Sequence, residues 1–198
     1  MNVDIRNSIK EMEENFNFHV RNFPVYSFGD KNQCAKLFKE AILHVDKTIK
    51  NFQWLPEYNE IVDYLQCTEG KGLFLAGDVG RGKTTIIHHA IPLLFYHCQK
   101  KVVKCTHANE LKSHLEEYKI KLLISVDELG TEPIANDYGN RYEPANNLFD
   151  MAEAHSKIVF VSTNLSSEAI RQRYGIRTLD RITRLCRIVK FRGESFRR

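Results

Sequence analysis

Gly77-Asp78-Val79-Gly80-Arg81-Gly82-Lys83-Thr84 follows an apolar run, Gly72-Leu73-Phe74-Leu75-Ala76, and leads into a helix-forming run that begins Thr85-Ile86-Ile87. Glycine, four residues and glycine-lysine-threonine, set between a strand and a helix, is the pattern of a phosphate-binding loop. Glycines there permit backbone angles that other residues resist, so successive amide N–H groups turn inward toward phosphate oxygens. The helix that follows adds the positive end of its dipole. On this reading Gly77 to Thr85 cradle a nucleoside triphosphate, Lys83 reaches its terminal phosphates and the Thr84 hydroxyl holds magnesium. A chance glycine-rich turn explains the glycines alone, without the lysine, the threonine and the flanking elements.

Outward from this loop, strands and helices alternate. Strands are expected at Leu73–Ala76, Lys101–Thr106, Lys121–Asp127, Ile158–Thr163 and Arg187–Phe191. Helices are expected from the loop to about Cys98 (with a kink at Pro92), and over Asn109–Tyr118, Pro144–His155, Ser166–Tyr174 and Thr178–Leu185. Strands separated by crossover helices imply a parallel sheet covered on both faces. The expected fold is therefore a three-layer α/β/α P-loop NTPase with a five-stranded parallel sheet. Upstream, Phe38, Ala41, Ile42, Val45, Ile49 and Phe52 recur at three- and four-residue steps, predicting an amphipathic helix over Asn32–Phe52. A second helix fits Pro56–Leu65, with the proline in its first turn. Residues 1–30 form a short extension rich in aromatics (Phe16, Phe18, Phe23, Tyr26, Phe28), which pack on the main domain or dock a partner. Residues 31–198 form the core.

Two further constellations bear on chemistry. Leu122-Leu123-Ile124-Ser125-Val126-Asp127-Glu128 is an apolar strand ending in two acids. In an open α/β sheet the ligand binds at such strand ends. Asp127 is placed to hold magnesium opposite Thr84, and Glu128 to orient and deprotonate a water that attacks the γ-phosphate. No Asn-Lys-x-Asp guanine-reading motif occurs, so ATP fits better than GTP. Val159-Phe160-Val161-Ser162-Thr163-Asn164 repeats the pattern of an apolar strand with a polar end. Asn164 either reaches the γ-phosphate and its attacking water or caps the next helix.

The chain holds 29 Lys and Arg against 25 Asp and Glu, a net charge of +4, but the charge is segregated. Arg171 to Arg198 contain ten basic residues and two acids, a net +8, which suits either nucleic acid or an ATP site and subunit interface. Five scattered cysteines and an N-terminus without an apolar run imply reduced thiols, no secretory signal and a cytoplasmic location. No stretch is apolar and long enough for a membrane span.

The combination of Gly77–Thr84, Asp127-Glu128-Leu129-Gly130-Thr131-Glu132-Pro133, Ser162-Thr163-Asn164-Leu165-Ser166, Arg173-Tyr174-Gly175-Ile176-Arg177-Thr178-Leu179-Asp180-Arg181-Ile182 and Gly193-Glu194-Ser195-Phe196-Arg197 resembles the DnaC/IstB-type AAA+ ATPases. These are helicase loaders and transposition ATPases. The likeness covers about Lys31 to Arg198. It implies sensor 1 at Asn164, the arginine finger at Arg181 with Arg177 as the competitor, and the sensor 2 arginine at Arg197. It also implies ATP and Mg2+, ring or helical homo-oligomers, single-stranded DNA, and a replicative helicase or a transposase or recombinase as partner. An IstB-like regulator or an adaptor with little hydrolysis is the alternative within the family. Outside it stands a small-molecule kinase with an arginine-rich lid, against which Glu128 argues.

Overall fold

The computed structural model describes residues 5–16, 20–137 and 140–193. Among the described residues there are seven strands: β1 Gly72–Gly77, β2 Lys104–His107, β3 Leu123–Leu129, β4 Ala135–Asp137, β5 Asn140–Tyr142, β6 Ile158–Thr163 and β7 Cys186–Phe191. The same described residues form eight α-helices: α1 Ile5–Asn15, α2 Lys31–Val45, α3 Pro56–Gln66, α4 Ile91–Gln99, α5 Leu111–Tyr118, α6 Pro144–Ala154, α7 Ser167–Tyr174 and α8 Ile176–Leu185. Five strands form one parallel sheet in the order β2-β3-β6-β1-β7, while β4 and β5 pair as a separate antiparallel hairpin.

The sheet's two faces are covered by different helices, as two-residue alternation along buried strands requires. Leu73, Leu75, Ile158, Phe160 and Val189 face one core with α2, α3 and α4. Phe74, Ile124, Val126, Val159 and Val161 face the other with α5 to α8. β6 lies at the centre and all six of its residues are buried.

Several element ends differ from expectation. The helix expected over Asn32–Phe52 stops at Val45, where the Asp46 N–H closes the last turn on the Ile42 carbonyl. Asp46 then accepts from the backbone and hydroxyl of Thr48, a local turn that competes with helix continuation. Ile49 and Phe52 still pack against the core, which is why their spacing mimicked a longer helix. The second strand begins at Lys104 instead of Lys101, because Lys100 takes a left-handed turn (φ 54°) and residues 101–103 lead in as irregular chain. The hairpin β4–β5 was not anticipated at all.

The helix changes register just before Pro92. Thr85–Ala90 is π-helical, and the Ile91 N–H bonds the Ile86 carbonyl. In that register the Ile87 carbonyl would accept from residue 92, which has no N–H. The buried Ser125 hydroxyl on β3 donates to it instead, at 2.9 Å. An orphaned helix carbonyl is thus satisfied from the neighbouring strand.

In the N-terminal region, α1 buries no side chain. Tyr26 and Phe28, by contrast, are buried and make edge contacts to Phe95 at 5.2 and 5.0 Å between ring centres. Their backbone is tied to the end of α3 through Thr68 and the Leu65 carbonyl. Phe23 is partly buried and Phe16 exposed, and Phe18 lies outside the described residues.

Candidate functional site

The loop after β1 runs over the C-terminal edge of the sheet. At Gly77, φ is 134° and a Cβ would stand 1.9 Å from the Phe191 carbonyl oxygen, so only glycine lets β1 and β7 approach there. At Gly82, φ is 79° and the place of a Cβ is open, so glycine answers to backbone angle alone. The chain becomes helical from Lys83, with the Ile86 N–H on the Gly82 carbonyl.

A cavity of about 750 Å3 lies over this loop. Val79 to Thr85 line it, together with Glu128, Ser162 and Asn164 and with Ile49, Phe52 and Tyr58. The structure therefore brings together the loop, the acid Glu128 near the end of β3 and the asparagine after β6. Lys83 is 6% exposed and its ammonium donates to the carbonyls of Gly77 and Asp78 and to Asn164 Oδ1 at 2.9 Å. Asn164 is thus engaged with Lys83, and the cap of α7 is Ser166, whose hydroxyl accepts from the Ala169 N–H at 3.1 Å.

The acids are set by a bulge. β3 and β6 stay in register up to Val126 with Val161 and resume shifted at Leu129 with Thr163. Glu128 lies between, with φ 58°, a left-handed angle uncommon for a non-glycine residue. Two side chains of β6 replace the missing ladder bonds. The Ser162 hydroxyl donates to Asp127 Oδ1 and accepts from the Glu128 N–H at 2.9 Å. The Thr163 hydroxyl donates to the Leu129 carbonyl at 2.6 Å. The residues before Asn164 therefore fix Asp127 and Glu128, a role that sequence reading missed. Ser162 stands two residues before Asn164 in the same polar strand end, and that run of polar residues was the available signal.

Asp127 is 1% exposed, and its Oδ2 has no hydrogen-bond partner among the described residues. His107 Nδ1, on the adjoining strand position, lies 3.7 Å from it. His107 stacks on His88 with ring centres 4.8 Å apart, and burial pulls the His88 pKa down. A buried carboxylate oxygen without a donor fits a cation or its water shell, so the donor set of Thr84 and Asp127 suits magnesium.

The remaining arginines divide. The Arg81 guanidinium is drawn to Glu57 of α3 at 3.7 Å, and the same Glu57 oxygen accepts from the Arg192 N–H. Asp78 accepts from the Gly193 N–H, which ties the loop to the exit of β7. Arg181 does not line the cavity: it pairs with Asp150 and Glu153 of α6, each at 2.8 Å. Arg177 is exposed and makes no ion pair among the described residues. Arg197 lies outside the described residues.

This architecture is an α/β fold in which a five-stranded parallel sheet is covered by helices on both faces and carries a glycine-rich loop after β1. No protein-family model matches the chain, and no curated protein sequence does. Solved structures share its fold. The DnaC helicase loader superposes with a TM-score of 0.60 at 16% identity, over 76% of this chain and 98% of that one. DnaI does so with a TM-score of 0.54 at 15% identity, over 83% of this chain and 95% of that one. Among the described residues no helix is long and apolar enough to cross a membrane.

Proposed function

We propose that this chain is an ATP-hydrolysing AAA+ protein that acts on DNA in the manner of a helicase loader. The carrying observation is the convergence of the loop, Glu128 and Asn164 on one cavity. The fold shared with the DnaC helicase loader supports the setting.

The loop amides and Lys83 take the phosphates of ATP, with Lys83 exchanging carbonyl contacts for phosphate oxygens. Ile49, Phe52 and Tyr58 offer an apolar end for the base. Magnesium held by Thr84 and Asp127 would neutralise charge on the β- and γ-phosphates. Glu128 accepts a proton from the attacking water, and Asn164 orients that water or the γ-phosphate.

One positive group is still needed against the developing charge, and α8 of a second copy supplies it. Arg181 would have to leave Asp150 and Glu153 to serve, whereas Arg177 breaks no ion pair. The trans role is therefore assigned to Arg177, in place of the Arg181 expected from the resemblance. Arg197 keeps its expected role as the sensor 2 arginine. The exposed Arg171, Lys190 and Arg192 of the basic C-terminal segment suit single-stranded DNA. The protein partner is a replicative helicase, with a transposase or recombinase as the alternative.

ATPase activity measured with and without single-stranded DNA tests this reading. Turnover that disappears in Glu128→Gln is expected. A wild-type protein inactive in both conditions would contradict it. Capture of partners from host lysate in the presence of ATP then separates helicase from transposase.

A further inference from the structure

The turn that follows Glu128 is held from outside the cavity by a buried polar cluster that none of the roles above uses. The Thr131 N–H and hydroxyl both donate to the Glu128 carbonyl, at 3.1 and 2.9 Å. The Gly130 N–H donates to Glu132 Oε2 at 2.8 Å. Glu132 is 3% exposed, and its other oxygen accepts from the Tyr174 hydroxyl and lies 3.7 Å from the Arg173 guanidinium. Arg173 donates to the carbonyls of Gly130 and Glu132 and reaches Glu143 at 3.3 Å. A planar fork can span two carbonyls of one turn in a way that an ammonium cannot.

This cluster has a second connection. Arg173 and Tyr174 form the last turn of α7, and Gly175 (φ 84°) leads directly into α8, where Arg177 occupies the first turn. The same helix end that grips the turn after Glu128 therefore carries the arginine facing outward. Burying an acid with an arginine and a tyrosine brings little net stability over apolar packing, so its plain effect is to fix geometry.

We propose that Glu132, Arg173 and Tyr174 are positioning residues for hydrolysis: they set the turn that aims Glu128 into the cavity and tie that aim to the α7–α8 junction. This rests on the hydrolytic reading above. Engagement of Arg177 by a neighbour's phosphate would then bear on the junction, and through Arg173 on Glu128 of the same chain. Successive sites in an assembly are thereby coupled.

The test is kcat, KM and affinity for a fluorescent ATP analogue in wild type, Arg173→Lys and Tyr174→Phe, with folding checked by thermal melting. Tyr174→Phe keeps the ring and its packing, so it serves if the arginine variant does not fold. Each variant is expected to lose about 10- to 100-fold in kcat, the scale of a slightly misplaced catalytic group. Analogue affinity stays within about twofold. Added to Glu128→Gln in single-turnover assays, neither substitution costs anything further, because both act through that carboxylate. A folded variant with wild-type kcat, an equal loss of affinity, or full additivity with Glu128→Gln would overturn the positioning role. A wild-type protein that binds the analogue but hydrolyses no ATP, with or without DNA, would overturn the hydrolytic reading and this inference with it.

Discussion

The crevice at the ends of β3 and β6 and the outer side of α8 differ in how completely one chain finishes them. In the crevice the catalytic candidates are held within the chain, with Asp127 Oδ2 left over: Ser162 holds Asp127 and the Glu128 amide, Thr163 holds Leu129, and Asn164 meets Lys83. On α8, Arg181 is closed off by α6 acids while Arg177 is exposed without an ion pair among the described residues. A group that must stabilise charge in a neighbour has to remain uncommitted at home. On the proposed function, the crevice is preorganised for catalysis and α8 for delivery to a second copy.

That contrast can be broken most severely at Arg177. Arg177→Ala should lower kcat by about 1,000-fold or more, the scale of a lost arginine finger, with ATP affinity retained. Arg181→Ala should instead lower thermal stability and spare turnover, since it frees Asp150 and Glu153. If Arg181→Ala abolishes turnover in a folded protein, the assignment reverts to Arg181. Next in size, Glu128→Gln should reduce kcat by about 100- to 10,000-fold without weakening nucleotide binding, measured by stopped turnover and analogue affinity in parallel. Lys83→Ala should weaken ATP binding by about 10- to 100-fold, the loss of charge-assisted bonds to phosphate, readable by calorimetry.

The smallest effect concerns the inner side of the comparison. Ser162→Ala removes the donor to Asp127 and the acceptor for the Glu128 N–H, and should cost about 1–3 kcal/mol in denaturant unfolding. An unchanged midpoint would show that the bulge is held by other means.

Much of the crevice was legible in the sequence because it is written locally. A glycine-rich loop between a strand and a helix, and polar residues at the ends of two apolar strands, need no long-range knowledge to be read. Asn164 and Glu128 could be placed at strand ends, although their approach to Lys83 and the cavity required the strand order. The slip at Pro92 was not legible, because the Ile87 carbonyl finds its donor in Ser125, 38 positions away. The end of α2 was obscured for a different reason: Ile49 and Phe52 keep the apolar spacing after the helix has stopped. The Glu132–Arg173–Tyr174 cluster joins residues more than 40 positions apart, and no periodicity marks it. The hairpin of β4 and β5 is three residues a side, too short for an alternating pattern to register.

The central claim is that the crevice of one copy is completed by α8 of another. Mixing Lys83→Ala, which keeps Arg177 but binds ATP weakly, with Arg177→Ala, which holds ATP but lacks the arginine, at an ATP concentration that leaves the Lys83→Ala sites largely empty, tests it most directly. The mixture should hydrolyse ATP although neither variant does so alone. A mixture as inactive as its components, with both variants folded and Arg177→Ala still binding ATP, would contradict the account.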